Sequence, residues 1–340
     1  MKRLICTPCM VSIVTACVVL LHSVGALAGD PLPSWNDGPT KQAVLNFITA
    51  ATTEGGPGFV PQEERIAVFD NDGTLWPEQP LAQVQFALAR VRDMAERDPS
   101  LKERQPFKAA LAGDLAYFAH DTGHAKAMEL LAATHANMTQ EAFEAEVRRF
   151  FATARHPTLN APYTTLAYAP MVELLVHLRA HGFQTWICSG GGIDFIRAVS
   201  QRMYGIPPEQ VIGSSLEEKF TEKSGKWVLW REPKIGFVND KGDKPVGIDL
   251  HIGRRPVFAA GNVRSGGDVA MLVYSQGRNG PSFQLLVNHD DAAREFAYAE
   301  KDNASLKAAK RNGWTVASIK NDWKEIFGLP IRETILGAKP

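Results

Sequence analysis

Cysteine is scarce in this chain. Of four in 340 residues, Cys6, Cys9 and Cys17 crowd the N-terminus, and Cys188 stands alone in the body. An intrachain disulfide there is excluded, so stability has to come from an apolar core. Cys188 lies in an apolar run, where it reads as a small buried hydrophobe rather than a nucleophile. Charge imbalance is absent too: 37 Lys and Arg face 37 Asp and Glu. No basic stripe or Lys/Arg run stands out, so nothing favours nucleic acid as a partner. Internal repeats and low-complexity segments are also missing. A membrane-spanning run is lacking: the longest apolar stretch, Met10 to Leu21, is short and interrupted by Ser12 and Thr15.

That stretch has another reading. Lys2 and Arg3 precede it, and Ala26-Leu27-Ala28 follows, before Gly29. This is the pattern of a secretory signal over residues 1–28, cleaved after Ala28. The expected location is periplasmic or secreted, with no stable membrane insertion after cleavage. Val14-Thr15-Ala16-Cys17 also resembles a lipoprotein box, so anchoring through Cys17 is the alternative. Hydrophobic residues make up 45% of the chain and charged ones 22%, enough material for a core and for two structural units.

Past a Pro/Gly-punctuated lead-in, the spacing of Ala43, Val44, Phe47 and Ile48 predicts a helix over 41–51. An apolar run, Ile66 to Phe69, predicts a buried strand. From about Pro77 to Pro157 only helical periodicity is present. Its apolar marks are Leu81–Met94, Phe107–Phe118, Met128–Leu131 and Phe143–Phe150, with Thr139 as an N-cap for the last. This all-helical insert carries His120, His124 and His135, which read as substrate contacts or as ordinary surface and core residues. Strand–helix alternation then resumes: a helix from Pro170, a strand 183–188, a helix 194–203 and a hairpin turning at Lys223-Ser224-Gly225-Lys226. A helix to about Ile252 follows, then strands near 256–260, 284–287 and 315–319. The pattern predicts an α/β fold, a doubly wound parallel sheet with the helical insert outside it.

The first strand breaks into Asp70-Asn71-Asp72-Gly73-Thr74. Two carboxylates two residues apart repel; at 4 Å and an effective dielectric of about 20 the cost is roughly 4 kcal/mol. Taken alone the stretch is either an ordinary Asx/Gly turn or half of a charged site. Two other strands end in polar loops, at Ser189-Gly190-Gly191-Gly192 and at Gly261-Asn262. In open parallel sheets such ends share one crevice. Asp70 has a carboxylate able to attack phosphorus, and Asp72 is placed to trade a proton. Thr74 and Ser189 offer hydroxyls, and Gly190 and its neighbours offer backbone N–H groups at a helix start, where anions bind. Lys244, or Lys241 in the same loop, supplies positive charge; Pro245 as a first helical residue favours Lys244. Asp70, Asp72, Asn262 and Asp268 are hard oxygen donors suited to Mg²⁺.

Phe69-Asp70-Asn71-Asp72-Gly73-Thr74, Ser189-Gly190-Gly191, Lys244, and Gly261-Asn262 with Asp268 fall in the order found in one family. The chain resembles a haloacid-dehalogenase-superfamily (HAD) hydrolase, of the phosphoserine-phosphatase-like kind, over most of 64–320. The resemblance implies a Rossmann-like core (29–76 and 158–340) with a helical, C1-type cap (77–157). It implies Mg²⁺-dependent phosphoryl transfer from a small phosphorylated substrate through an aspartyl phosphate on Asp70. Asp72 would be the proton partner, and Mg²⁺ would sit on Asp70, the Asp72 backbone carbonyl and the last motif. A phosphotransferase or mutase, or a binding module without turnover, would use the same fold. Asn262 departs from the family, where an Asp usually stands, and its six-residue spacing to Asp268 is slightly long. Of the loop after the last motif, Arg294 reads as an anion contact or a surface ion pair. Trp76, beside the turn, is expected at a hinge or a pocket wall.

Overall fold

The computed structural model describes residues 29–119, 125–264 and 267–328. The expected leader, His120, His124 and the spacer Ser265-Gly266 lie outside these. Near the start, α1 (Pro39–Thr52) leads into β1 (Ile66–Phe69). Five helices follow: α2 (Ala82–Arg97), α3 (Phe107–Ala112), α4 (Leu115–Ala119), α5 (Ala125–His135) and α6 (Gln140–Thr153). The alternating part comprises α7 (Ala169–Ala180), β2 (Gln184–Gly192), α8 (Ile193–Tyr204), β3 (Val211–Lys223), β4 (Lys226–Phe237), α9 (Asp243–Ile252) and β5 (Phe258–Asn262). It closes with α10 (Gly267–Gln276), β6 (Phe283–Asn288), α11 (Ala304–Asn312), β7 (Thr315–Ser318) and α12 (Ile319–Asp322).

The seven strands form one sheet in the order β4-β3-β2-β1-β5-β6-β7. All neighbours are parallel except β3 and β4, the hairpin at one edge. The expected doubly wound sheet is therefore present. β1 is central because it is buried on both faces, and the alternation of its side chains divides the core. Ala67 and Phe69 join the apolar layer of Val44, Ile48, Leu174 and Leu178, from α1 and α7. Ile66 and Val68 join Cys188, Ile248, Met271 and Leu272, on the α9 and α10 side. Each fully buried Val, Leu, Ile, Phe or Met side chain among them contributes about 1.5–3 kcal/mol, which is how a chain without a disulfide in its described part holds together. Burial pushes the Cys188 thiol up to about 11, so it is inert, as its apolar run predicts.

The helical segment has a small core of its own, Val91 of α2, Leu101 of the turn after it, Phe107 of α3 and Leu130 of α5. Its last helix is different: Phe143, Val147 and Phe151 of α6 enter the main core. Thr139 caps α6, its hydroxyl accepting from Ala142 N at 3.2 Å. The single helix expected over 107–118 is two short ones. Gly113 takes a left-handed φ of +67° and ends α3, a conformation glycine adopts at little cost.

Candidate active site

The strand order places the first motif between the other two. β2 and β5 flank β1, so the ends at Asp70, Ser189 and Asn262 meet at one edge of the sheet. The chain leaves β1 toward β2 and returns on the other side at β5, which makes this edge the topological switch point where open α/β sheets bind ligands. A crevice of about 490 Å³ opens there, lined by Asp70, Asp72, Ser189, Gly190, Lys244, Asn262 and Asp268.

Lys244 is the electrostatic centre. It is buried, with Nζ 2.6 Å from Asp70 Oδ1 and 2.5 Å from Asp268 Oδ1. Burial pushes the ammonium pKa down, but the carboxylates of Asp268 and Asp70 outweigh it and hold the group above the ordinary lysine value. Asp70 is the converse. Burial first, then Asp268, raises its carboxyl well above the usual range, and Lys244 only partly offsets this. Lys241 is exposed, in a left-handed turn at φ +52°, and does not enter the crevice. The reason differs from the one expected: α9 begins at Asp243, so Pro245 is its third residue, not its first. Proline is tolerated there because first-turn N–H groups have no intrahelical partner.

The first motif is shaped by Gly73, at φ +79°. A Cβ there would lie 2.5 Å from Asn262 Nδ2, so only glycine lets the two loops approach. Thr74 is fully buried and donates to Asp70 Oδ2 at 3.3 Å; it lies beneath the carboxylate rather than on the crevice wall. Trp76 does not line the crevice. It is buried in the core, and its indole N–H donates to Asp72 Oδ1 at 2.8 Å, fixing that carboxyl. Burial raises the Asp72 pKa, while the Trp76 hydrogen bond and then Lys244 pull it down.

Ser189 Oγ accepts from Gly191 N at 3.0 Å, leaving its own hydrogen to donate. Gly192 N is taken by Gln83 Oε1 at 2.8 Å, so these two N–H groups of the glycine run are spent inside the protein. Asp268 is held at both oxygens: Oδ1 by Lys244 and Oδ2 by Asn262 N at 2.9 Å. The Asn262 amide nitrogen donates to the Asp72 carbonyl at 2.6 Å and reaches Asp70 Oδ2 at 3.4 Å. Its Oδ1 accepts from Arg264 N at 2.8 Å, which sets the orientation of the amide. Two oxygens, one from a carboxylate, thus converge on one electropositive atom. A divalent cation fits that convergence. Asn262 would add an oxygen only by turning its amide and giving up Arg264 N–H.

Sequence reasoning missed Glu78, Gln83 and Arg264 in the crevice wall. Glu78 is buried, and burial pushes its carboxyl up to about 7, with Arg264 Nη1 3.4 Å away. No spacing signals these residues; each stands alone in a loop or helix. Arg294 pairs with Asp291 at 2.6 Å and donates to the carbonyls of Ile319 and Trp323. It ties the loop to the segment around α12 and contacts no part of the crevice. His289 supports the turn from behind, its Nε2–H donating to Gly73 O at 2.7 Å, with Nδ1 against Glu295.

A search of curated proteins by sequence gives no match. Among solved structures, a conserved protein of unknown function from Anaerococcus prevotii superposes with a TM-score of 0.52 at 16% identity, covering 84% of this chain and 94% of that one. A protein of unknown function from Bordetella pertussis gives 0.50 at 16% identity, covering 74% and 97%. Both likenesses concern the fold. The model of the haloacid dehalogenase-like hydrolase family matches residues 67–249, from the first strand through α9 and so more than half of the chain. With that match running over Asp70, Asp72, Ser189 and Lys244 of the crevice, the chain belongs to the haloacid dehalogenase-like hydrolases.

Proposed function

We propose that this hydrolase is a Mg²⁺-dependent phosphomonoesterase working through an aspartyl phosphate on Asp70. The observation that carries the reading is the pairing of two acids with two fates. Asp70 is paired with the Lys244 ammonium at 2.6 Å, whereas Asp72, half-buried at the crevice, is held by a neutral indole. An Asp70 oxygen attacks phosphorus and the ester P–O bond breaks. The Asp72 carboxyl gives its proton to the departing alcohol. Asp72, now a carboxylate, takes a proton from water, whose oxygen displaces phosphate from Asp70. Lys244, Ser189 and the Gly190 loop offset charge on the phosphoryl oxygens. Asp70, the Asp72 carbonyl and Asn262 would hold Mg²⁺, with Asp268 beside them; bound there, the ion supplies charge neutralisation to the phosphoryl group. We further propose that 77–157 acts as the cap over 29–76 and 158–340, and that the protein is exported after cleavage at Ala28.

Purified protein is expected to release p-nitrophenol from p-nitrophenyl phosphate with Mg²⁺ and to stop in EDTA. Phosphate appearing on an added alcohol, instead of free in solution, would move the reading to a phosphotransferase. Silence across a broad phosphoester panel would favour a binding module. Asn262 gives a separate handle on the metal. Because its amide already occupies the converging oxygens, Asn262→Asp should tighten Mg²⁺ binding by about tenfold or more, through one added negative oxygen ligand. Titration calorimetry reads this without turnover; unchanged affinity would remove Asn262 from the metal site.

A further inference from the structure

Beside the crevice lies a second cavity, of about 180 Å³. Gln83, Leu131, Gly190 and Val238 line both, so the two adjoin. The rest of its wall is largely apolar: Phe143 from α6, Phe195 from α8, and Leu216 and Ile235, which pair across β3 and β4. An apolar cavity of roughly 150 Å³ is enough to take benzene.

The ionisable and amide side chains of this wall are committed to one another or to backbone. Ser214 Oγ donates to Gly190 O at 2.8 Å, and Ser215 completes the polar lining. Gly192 N–H donates to Gln83 Oε1 at 2.8 Å, which orients the amide, and Gln83 Nε2 then donates to His135 Nε2 at 3.2 Å. His135 Nδ1 meets Thr134 Oγ1 at 2.8 Å. Burial, then Arg231, pushes the imidazole down to about 3, so it is neutral at any working pH. The two ionic side chains of the wall face each other: Arg231 Nη1 is 2.5 Å from Asp194 Oδ2. The guanidinium also lies 4.1 Å over the Phe143 ring, and its Nε donates to His135 O at 2.8 Å. The cavity thus presents no charge of one sign to an ammonium or carboxylate, and burying either without a partner is costly.

We propose that this cavity receives the leaving group of the substrate, and that the leaving group is an uncharged, apolar alcohol of about one ring in size. The inference rests on the phosphatase reading and names its substrate class. It excludes amino-acid and amino-alcohol phosphates, whose charged heads would be stranded against Phe143 and Phe195.

The test compares benzyl phosphate with O-phosphoserine, both esters of ordinary alcohols, and with acetyl phosphate, whose small leaving group does not fill the cavity. Benzyl phosphate is expected to exceed O-phosphoserine in kcat/KM by about 100-fold, the upper range for an apolar pocket. Leu216→Trp, which fills the cavity, should lower kcat/KM for benzyl phosphate at least tenfold more than for acetyl phosphate. Ile235→Trp, from the facing strand, should repeat the effect if the first variant folds poorly. Acetyl phosphate turnover with equal or better use of O-phosphoserine, or no selective loss in a folded filling variant, overturns the cavity assignment and leaves the phosphatase reading intact. No turnover of any of the three overturns that reading, and the leaving-group assignment with it.

Discussion

Asp70→Asn is expected to lower phosphoester turnover by about 10³-fold or more, the scale seen when a covalent nucleophile is lost, without lowering stability. The amide has the shape of the carboxylate but no anionic oxygen to bond phosphorus. Thr74 and Asn262 still find a polar group in the same place. The stability half follows from the raised pKa of Asp70. A carboxyl raised on folding contributes stability below its unfolded pKa, and that contribution is lost as pH rises toward the folded value. At neutral pH the native protein carries the cost of a buried carboxylate pressed by Asp268 and Asp72. The variant does not, and Lys244 keeps Asp268 at 2.5 Å. Thermal unfolding should therefore give an unchanged or raised Tm beside the lost p-nitrophenyl phosphate activity, the usual trade between function and stability. Activity near the native level would remove Asp70 as nucleophile. A Tm lower by about 5 °C or more, over 1 kcal/mol for a chain this long, would assign the loss to folding instead.

That Asp70 and Asn262 end strands was legible because each follows a short apolar run and opens a polar loop. The strand expected to stop at Cys188 instead continues through Ser189 to Gly192, with a register shift after Cys188, and runs directly into α8. The meeting of these segments was an inference from the fold class, and the strand order with β1 between β2 and β5 bears it out. Depth was not legible. Thr74 and Trp76 sit beside the turn in sequence and read as a crevice hydroxyl and as a hinge or pocket wall, yet the left-handed bend at Gly73 sends both beneath it. The glycines after Ser189 read as open N–H donors, but Gln83, more than a hundred residues earlier, takes one of them. Such residues carry no local signal, because a lone Gln on an amphipathic helix is ordinary until the helix is docked. The same holds for Arg231. On an edge strand of alternating charge it resembles a solvated residue, and only the packing of α6 and α8 buries it against Asp194.

Lys244→Met is expected to cost about 3–5 kcal/mol of stability at pH 8, as for other buried pairs that lose one partner, and distinctly less at pH 5. The lysine pairs with two carboxylates at once, and with it gone Asp70 loses the ammonium that pulls its pKa down. Its folded pKa then rises further. A raised carboxyl makes the folded state the better proton binder between the unfolded and folded pKa values, so stability falls across that window as pH rises. At pH 5 the native state can bind a proton in place of the ammonium; at pH 8 it holds adjacent buried anions with Asn262, Thr74 and backbone donors around them among the described residues. Urea unfolding in EDTA, so that no metal substitutes for the lysine, gives the two midpoints. Lys241→Met is the control: an exposed loop charge should change stability by about 0.5 kcal/mol or less at either pH. Equal losses for Lys244→Met at pH 5 and pH 8 would mean that Asp70 stays ionised without its partner. The offset between the carboxylates would then have to come from the hydrogen bonds of Asn262 and Thr74, and the lysine would not be the charge that holds this crevice together.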